Sequence, residues 1–365
     1  MTDDTAPVWL HGASLGDVRT LQPLVEALEG HGPRLVTAHR RTARAWAAQH
    51  LHGVTVEPPP WPVPGLADRW VTLRRPRLLV LEYLELWPAW VSACARRGVP
   101  VVVVDGHVGP RSLRGRTWLR GTARRLTAFA AQTPDDAAGA RALGVPAERI
   151  FVHGNAKHDR FRGEPERPSA DLAAAVGPVD LVVGSLARDE ESSMLRALAA
   201  TPLRVLVAPR HLERTASILR TARALGVRAA LRSTGGDPSA RWIVLDTHGE
   251  LASAWSLGRV ALVGGTFGQR EGQNLVEPYA HGLPVIHGPR TRNIRLEADA
   301  LAGAGLHRVE SAEAAVEHAT ALVLGPGAPP ERLDERVRRL AALQGATVRH
   351  LALLTRVLAG AERRC

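Results

Sequence analysis

Cysteine is nearly missing from this chain. The two present, Cys94 and Cys365, lie far apart, so no disulfide framework or zinc-binding spacing can be drawn from them, which suits a reducing compartment. No window approaches the ~20 unbroken apolar residues of a membrane span. Met1 to Pro7 is polar and acidic, without the apolar run of a signal peptide or anchor. The sequence also lacks a zinc finger, an RNA-binding aromatic motif and a basic region continued by heptads, so nucleic acid is not the expected partner. Acids are outnumbered: the net charge is +11 and the pI near 11.1. A GC-rich genome accounts for arginine standing in for lysine but not for the excess over acids. A basic surface meets phosphates, and with nucleic acid set aside the expected partners are an anionic membrane surface and a phosphorylated glycolipid.

What is present describes an α/β protein. At 365 residues, 45% hydrophobic and 23% charged, the chain has material for two cores. Short apolar runs alternate with segments of helical spacing. Val8–Leu10, Arg34–Ala38, Val54–Val56, Arg77–Leu81, Pro100–Val104, Phe129–Ala131 and Ile150–Val152 read as strands. Arg160 to Pro178 is rich in proline, glycine and charge, which marks a boundary, and the alternation then restarts at Asp180. The expected division is 1–165, a linker 166–178, a second domain 179–335 and a helical segment 336–365. Two successive βα domains predict a pair of Rossmann-like units with the chemistry in the cleft they form.

Candidate ligand positions sit where strands end. Val260–Val263 reads as a buried strand running into Gly264-Gly265-Thr266. After a polar loop come Gly272-Gln273-Asn274 and a helix over Leu275–His281 with Asn274 as N-cap. Strand, glycine loop and helix start together predict an anion site with free N–H groups. Glu277, one turn in, is misplaced for phosphate but suits ribose hydroxyls, so a nucleotide sugar is the natural ligand. In the first half, His11-Gly12-Ala13-Ser14-Leu15-Gly16-Asp17 follows the first strand and precedes a helix from Val18 to Gly30. Arg111 to Arg125 interleaves arginines, Arg111 and Arg114 among them, with Trp118 and Leu119. That pattern suits either a solvated helix face or a basic surface for a phosphorylated amphiphile.

These segments resemble, in order, the Kdo transferases of lipopolysaccharide synthesis, glycosyltransferases of GT-B fold. The matching residues are His11 to Asp17, Leu84-Glu85-Leu86-Trp87-Pro88, Ala131-Gln132-Thr133 and Gly154-Asn155-Ala156-Lys157-His158-Asp159. In the second half they are Pro209-Arg210-His211-Leu212-Glu213-Arg214, Asp246-Thr247-His248-Gly249-Glu250-Leu251 and Gly272-Gln273-Asn274-Leu275-Val276-Glu277-Pro278. The resemblance implies inverting transfer of a keto-deoxy sugar acid from a CMP-activated donor to a lipid A precursor, an anionic glycolipid, with no metal and no cofactor.

It also assigns roles. Asp17 stands where the family has its catalytic glutamate, on a loop facing the cleft, shaped by Ser14 and Gly16; read by itself it is a helix N-terminal acid. Arg210 matches an arginine that neutralises the donor's phosphate or carboxylate, and could otherwise form an interdomain salt bridge. Gly265, Gln273, Asn274 and Glu277 match the nucleotide clamp; without the family, Asn274 and Glu277 are a cap and a surface acid. Gly249 and Glu250 match a loop of the same site, Glu250 alternatively being a helix-start acid. Asn155 and Lys157 look like donor-side or hinge residues, with a solvent lysine as the plain alternative, and Glu85 supports the acceptor. The chain departs from the family at Asp17 (glutamate there), Gln273 (histidine), His107 (arginine), the residues after Ser185, and the missing N-terminal anchor. Those departures leave open another CMP- or UDP-sugar, a soluble acceptor, or a non-catalytic homologue that binds a glycolipid or nucleotide.

Overall fold

A computed structural model describes residues 6–114, 116–162, 165–237, 239–270, 272–325 and 333–362. The chain divides into two compact units, one of residues 1–160 with 343–365 and the other of residues 161–342.

In the first unit the strands are β1 (Val8–His11), β2 (Arg34–Thr37), β3 (Val54–Glu57), β4 (Leu78–Glu82), β5 (Val101–Gly106), β6 (Ala128–Ala131) and β7 (Ile150–Val152). They form one parallel sheet in the order β3-β2-β1-β4-β5-β6-β7. The central strands are unbroken apolar runs because helices cover both faces, so neither face needs polar residues. One layer of core is built from Trp9, Leu79, Trp90, Val103 and Phe129. The opposite layer holds Val8, Leu10, Leu21, Val80 and Val102 with Leu353, Leu354 and Leu358 of the last helix. Strand order reverses at β1, between β2 and β4, and ligands bind at such a switch point beyond the carboxyl ends of the strands.

The second unit repeats the plan with β8 (Val179–Leu186), β9 (Val205–Pro209), β10 (Ala229–Leu231), β11 (Trp242–Val244), β12 (Gly258–Val263), β13 (Val285–His287) and β14 (Leu306–Arg308). Its parallel order is β10-β11-β9-β8-β12-β13-β14, reversing at β8. The core joins Leu181, Val183, Val205, Val207, Trp242 and Leu262 to Met194, Leu195 and Ile218 of the covering helices.

Three local expectations change. Ala170–Val176, inside the segment read as a linker, is a helix capped by Ser169, whose Oγ accepts the Leu172 N–H at 3.1 Å. The long terminal helix is two helices, Leu333–Ala342 and Ala346–Glu362, broken where Gly345 takes a φ of 94°. The last of these belongs with the first unit: Asp159 accepts the Gly345 and Thr347 N–H groups at 2.5 and 2.6 Å, satisfying backbone donors that a helix start leaves unpaired.

Candidate functional site

The first glycine-bearing motif of the chain is a helix start. The helix is Leu15–Ala27, so Asp17 lies in its first turn and not on a free loop. Ser14 is the N-cap: its Oγ accepts the Asp17 N–H at 3.3 Å, and Asp17 Oδ2 accepts the Ser14 N–H at 2.7 Å. This reciprocal capping box satisfies two orphan donors. Gly12 is required beneath it, because a Cβ there would stand 3.0 Å from the Asp17 Cβ and 3.1 Å from the Val18 nitrogen. Gly16 and Ser14 are exposed and Asp17 is half-buried. Among the described residues no hydrogen bond reaches Asp17 Oδ1.

Behind Asp17 lies a buried polar network that the sequence does not announce. Glu82 ends β4 and Asp105 lies near the end of β5, both fully buried. Burial, with the Asp105 and Asp17 carboxylates near it, pushes the Glu82 carboxyl well above the usual carboxylate range. Neither carboxyl oxygen of Glu82 has a hydrogen-bond partner among the described residues. Burial and the Glu82, Asp105 and Asp17 charges likewise push the Tyr83 phenol up, while its hydrogen bond with Asn155 opposes the shift. Asp105 Oδ1 also accepts the Ala156 N–H at 2.8 Å and faces His350 Nε2 at 3.1 Å. Tyr83 and Asp105 have φ of 57° and 48°, left-handed values that cost non-glycine residues of order 1–3 kcal/mol and gather at functional edges.

His350 Nδ1 stands 3.0 Å from His153 Nδ1, so one of the two rings donates to the other. Burial, then the charges of His350 and Arg349, holds His153 down to about 4. An unfolded ring titrates near 6.5, so stability is complete above that pH and is lost as pH falls toward 4. Urea midpoints at about pH 7.5 and about pH 5 therefore differ in the wild type. They differ less in His153→Gln; an equal loss in both would contradict the assignment.

Asn155 is buried, its Oδ1 accepting the Lys157 N–H at 3.0 Å. Lys157, the chain's one lysine, is exposed, and its charge favours the ionised form of Glu82. The structure thus brings Asp17, Asn155 and Lys157 to one carboxyl edge. Glu85 is held separately, accepting the Trp87 Nε1–H at 2.9 Å. Near it, burial and then the charge of His39 hold His11 down to about 3, so that ring is neutral. His107 does not point to a ligand: its Nδ1 pairs with Asp136 Oδ1 at 2.9 Å, the hydrogen bond that raises its pKa. Arg114 is exposed; the Arg111 side chain lies outside the described residues.

In the second unit the glycine loop is already occupied by the chain's own acids. Glu190 is buried. Its Oε2 accepts the Gly265 N–H at 2.7 Å and the Ala187 N–H at 3.3 Å, and its Oε1 accepts those of Phe267 and Gly268 at 2.6 and 3.1 Å. Asp189 Oδ2 takes the Gln269 N–H at 2.6 Å. The expectation of free N–H groups at Gly265 is therefore corrected: a carboxylate that accepts several backbone donors fills that nest. Gly265 has φ 70°, and a Cβ on it would stand 2.6 Å from Gln273 Cγ, so glycine there lets Gln273 close over the loop.

The helix after the loop is Val276–Ala280, shorter than expected. Asn274 Oδ1 accepts the Val276 and Glu277 N–H groups at 2.9 and 3.3 Å, which commits its oxygen to the turn. Glu277 is half-buried in the first turn. Gly249 has φ 83°, and Glu250 pairs with Arg232 at 2.8 Å while accepting the Thr247 hydroxyl. That carboxylate is a partner of its own unit. Arg210 follows β9, is exposed, and gives its N–H to Leu186 O at 2.9 Å. Arg214 of the same motif is structural, paired with buried Glu191 at 3.0 Å. Beside the glycine loop a cavity of about 440 Å³ is lined by Arg188, Asp189, Gln269 and Arg270. Ser185, at the end of β8, has φ 56°, a third strained residue at a carboxyl edge.

Sequence comparison places this geometry in a family. The family model described as 3-Deoxy-D-manno-octulosonic-acid transferase (kdotransferase) matches residues 2–160. The 3-deoxy-D-manno-octulosonic acid transferase of Bordetella pertussis is 35% identical over 375 residues, covering 96% of this chain and 87% of the relative. That of Aquifex aeolicus is 26% identical, covering 79% and 77%. Among solved structures, the UDP-GlcNAc 2-epimerase from Neisseria meningitidis bound to UDP-GlcNAc superimposes with a TM-score of 0.63 at 13% identity, covering 97% of this chain and 100% of that one. Anabaena HepE in complex with UDP gives 0.65 at 12%, covering 98% and 100%. These likenesses show the fold, two doubly wound α/β units of the GT-B class. With the Bordetella pertussis transferase 35% identical and matched over 87% of its length, the chain belongs to the 3-deoxy-D-manno-octulosonic acid transferase family.

Proposed function

We propose that the chain is an inverting glycosyltransferase moving Kdo from a CMP-activated donor to a lipid A precursor. The observation that carries this reading is the match over 96% of the chain to the Bordetella pertussis transferase, with Asp17 at the turn beyond β1. In the transfer, an acceptor hydroxyl attacks the anomeric carbon and its proton passes to Asp17. The bond from that carbon to the phosphate breaks as the new one forms, and CMP leaves. Asp17 suits the role because the capping box uses Oδ2 and holds the carboxylate in one orientation, which is what rate depends on when geometry is set in advance.

On the donor, Arg210 offsets phosphate or carboxylate charge through its guanidinium fork, and Glu277 with the Asn274 amide meets the nucleoside. Gln273 and Gly249 shape those loops, and Glu250 holds its loop through Arg232. Ser14, Gly16, Asn155 and Lys157 position the acceptor-side edge, and no metal is required in the transfer step. No described helix is long and apolar enough to cross a membrane. Arg114, Arg120, Arg124 and Arg125 are exposed beside Trp118, itself 71% exposed. That surface supports a peripheral contact with the anionic inner face of the inner membrane, each arginine adding roughly 1 kcal/mol near such a surface.

Nucleotide competition separates this reading from a UDP-sugar enzyme on the same fold. CMP is expected to displace a fluorescent cytidine nucleotide at concentrations where UDP does not. Displacement by UDP and not by CMP would reject the donor assignment.

A further inference from the structure

Beside the Ser14–Asp17 turn, three side chains converge from three adjacent strands of the first unit. His11 is the last residue of β1, His39 lies two residues past the end of β2, and Glu85 lies three past the end of β4. In the sheet β1 is flanked by β2 and β4, so parallel register brings the three carboxyl ends together. One ligand-type atom from each lies within 4.8 Å of the other two. We propose that His11, His39 and Glu85 bind one divalent transition-metal cation, of which Zn2+ fits the donor set best.

The surroundings of the three side chains suit a cation. His11 is fully buried, yet its Nε2 has no hydrogen-bond partner, an expensive omission for a buried polar atom. Its other nitrogen, Nδ1, sits 2.8 Å from Thr37 Oγ1, and that hydroxyl also accepts the Trp9 Nε1–H at 2.8 Å. In the tautomer whose Nδ1–H donates to Thr37 Oγ1, the Nε2 lone pair is what the ring offers to the other two side chains. A histidine ligand with its second nitrogen bonded to a fixed acceptor is the common arrangement at metals. Glu85 is supported in the same way, its Oε2 accepting from Trp87. His39 is exposed and Glu85 half-buried, which gives an ion a path from solvent.

Two imidazoles and a carboxylate suit Zn2+ with a fourth position for water. Metal–ligand distances of about 2.0–2.2 Å space tetrahedral ligand atoms roughly 3.4 Å apart, so the side chains must draw in by about an ångström. Rotation of His39 and Glu85 supplies that movement. The bound cation ties three strand ends together beside the Ser14–Asp17 turn, which touches the His39 loop through the Arg40 N–H to Ala13 O bond at 3.4 Å. It takes no part in the transfer step proposed above.

The test uses the untagged full chain after chelator treatment, titrated with Zn2+ and, separately, with Co2+ as a spectroscopic substitute, with no donor or acceptor present. One equivalent should bind, Co2+ should give tetrahedral d–d absorption, and Zn2+ should raise Tm. His39→Ala and Glu85→Gln, each checked for a wild-type circular dichroism spectrum, should weaken binding tenfold or more, in line with losses at supported ligands. No binding, or binding that either variant leaves intact, overturns the proposal. Because the readout is binding and not turnover, failure here is distinct from failure of the transferase reading.

Discussion

Replacing Asp17 with asparagine is expected to lower kcat by about 10²–10⁴-fold, the range for losing a general base, while nucleotide affinity stays within a factor of two or so of wild type. Asparagine keeps an oxygen for the Ser14 N–H, now 2.7 Å from Oδ2, so the capping turn survives and the stability cost stays near or below ~1 kcal/mol. What is lost is the capacity to hold the hydroxyl's proton. The substitution also removes a negative charge that raises the Glu82 pKa, so any residual activity should shift in its pH profile. Asp17→Glu keeps a carboxylate and the S-x-x-acid cap pattern, so it should stay active. Steady-state transfer rates with a nucleotide-binding titration on each variant check this; Asp17→Asn turning over at the wild-type rate would remove Asp17 from the chemistry.

The largest stability loss is expected at Glu190. Its carboxylate accepts four backbone N–H groups, from Ala187, Gly265, Phe267 and Gly268. Glu190→Ala leaves them without an acceptor in a site where the side chain is 2% exposed. Unsatisfied buried donors cost roughly 1–3 kcal/mol each, and water can enter to serve some of them. A net loss of about 3–5 kcal/mol follows. Glu190→Gln retains acceptor oxygen on one side only and should fall between. Denaturant midpoints measure the loss, and nucleotide affinity should fall with it, because the Gly265 turn that seats Gln273 loses its anchor. A Glu190→Ala chain as stable as wild type would show that the loop holds its shape without the carboxylate.

The strands were legible because parallel strands covered on both faces are continuous apolar runs, as at Leu78–Leu81 and Val101–Val104. The break at Gly345 was readable in principle, since glycine in a left-handed turn ends a helix, but the amphipathic pattern runs through it. The turn at Asp17 was also readable: serine followed three residues on by an acid is the capping-box signature, and reading it as a loop overlooked that. Glu190 was not readable. It meets Gly265 and Gly268 across 75 and 78 residues of chain, and in the sequence it is one acid in a run at a helix start. Asp105 and His350 are 245 residues apart, and only the return of the last helix onto the first unit joins them. The motif residues divide accordingly. Asp246, which accepts from Ser233 at 2.8 Å, belongs with Asp159, Glu191 and Arg214 to the scaffold. Asp17, Arg210, Asn274 and Glu277 are the residues we propose to meet ligands.

The most direct test incubates the purified chain with CMP-Kdo and a lipid A precursor, following glycolipid mass and CMP release together, with UDP-sugars as parallel donors. The account predicts Kdo-bearing glycolipid and equimolar CMP from CMP-Kdo and no product from the UDP-sugars. Product from a UDP-sugar with none from CMP-Kdo would contradict it.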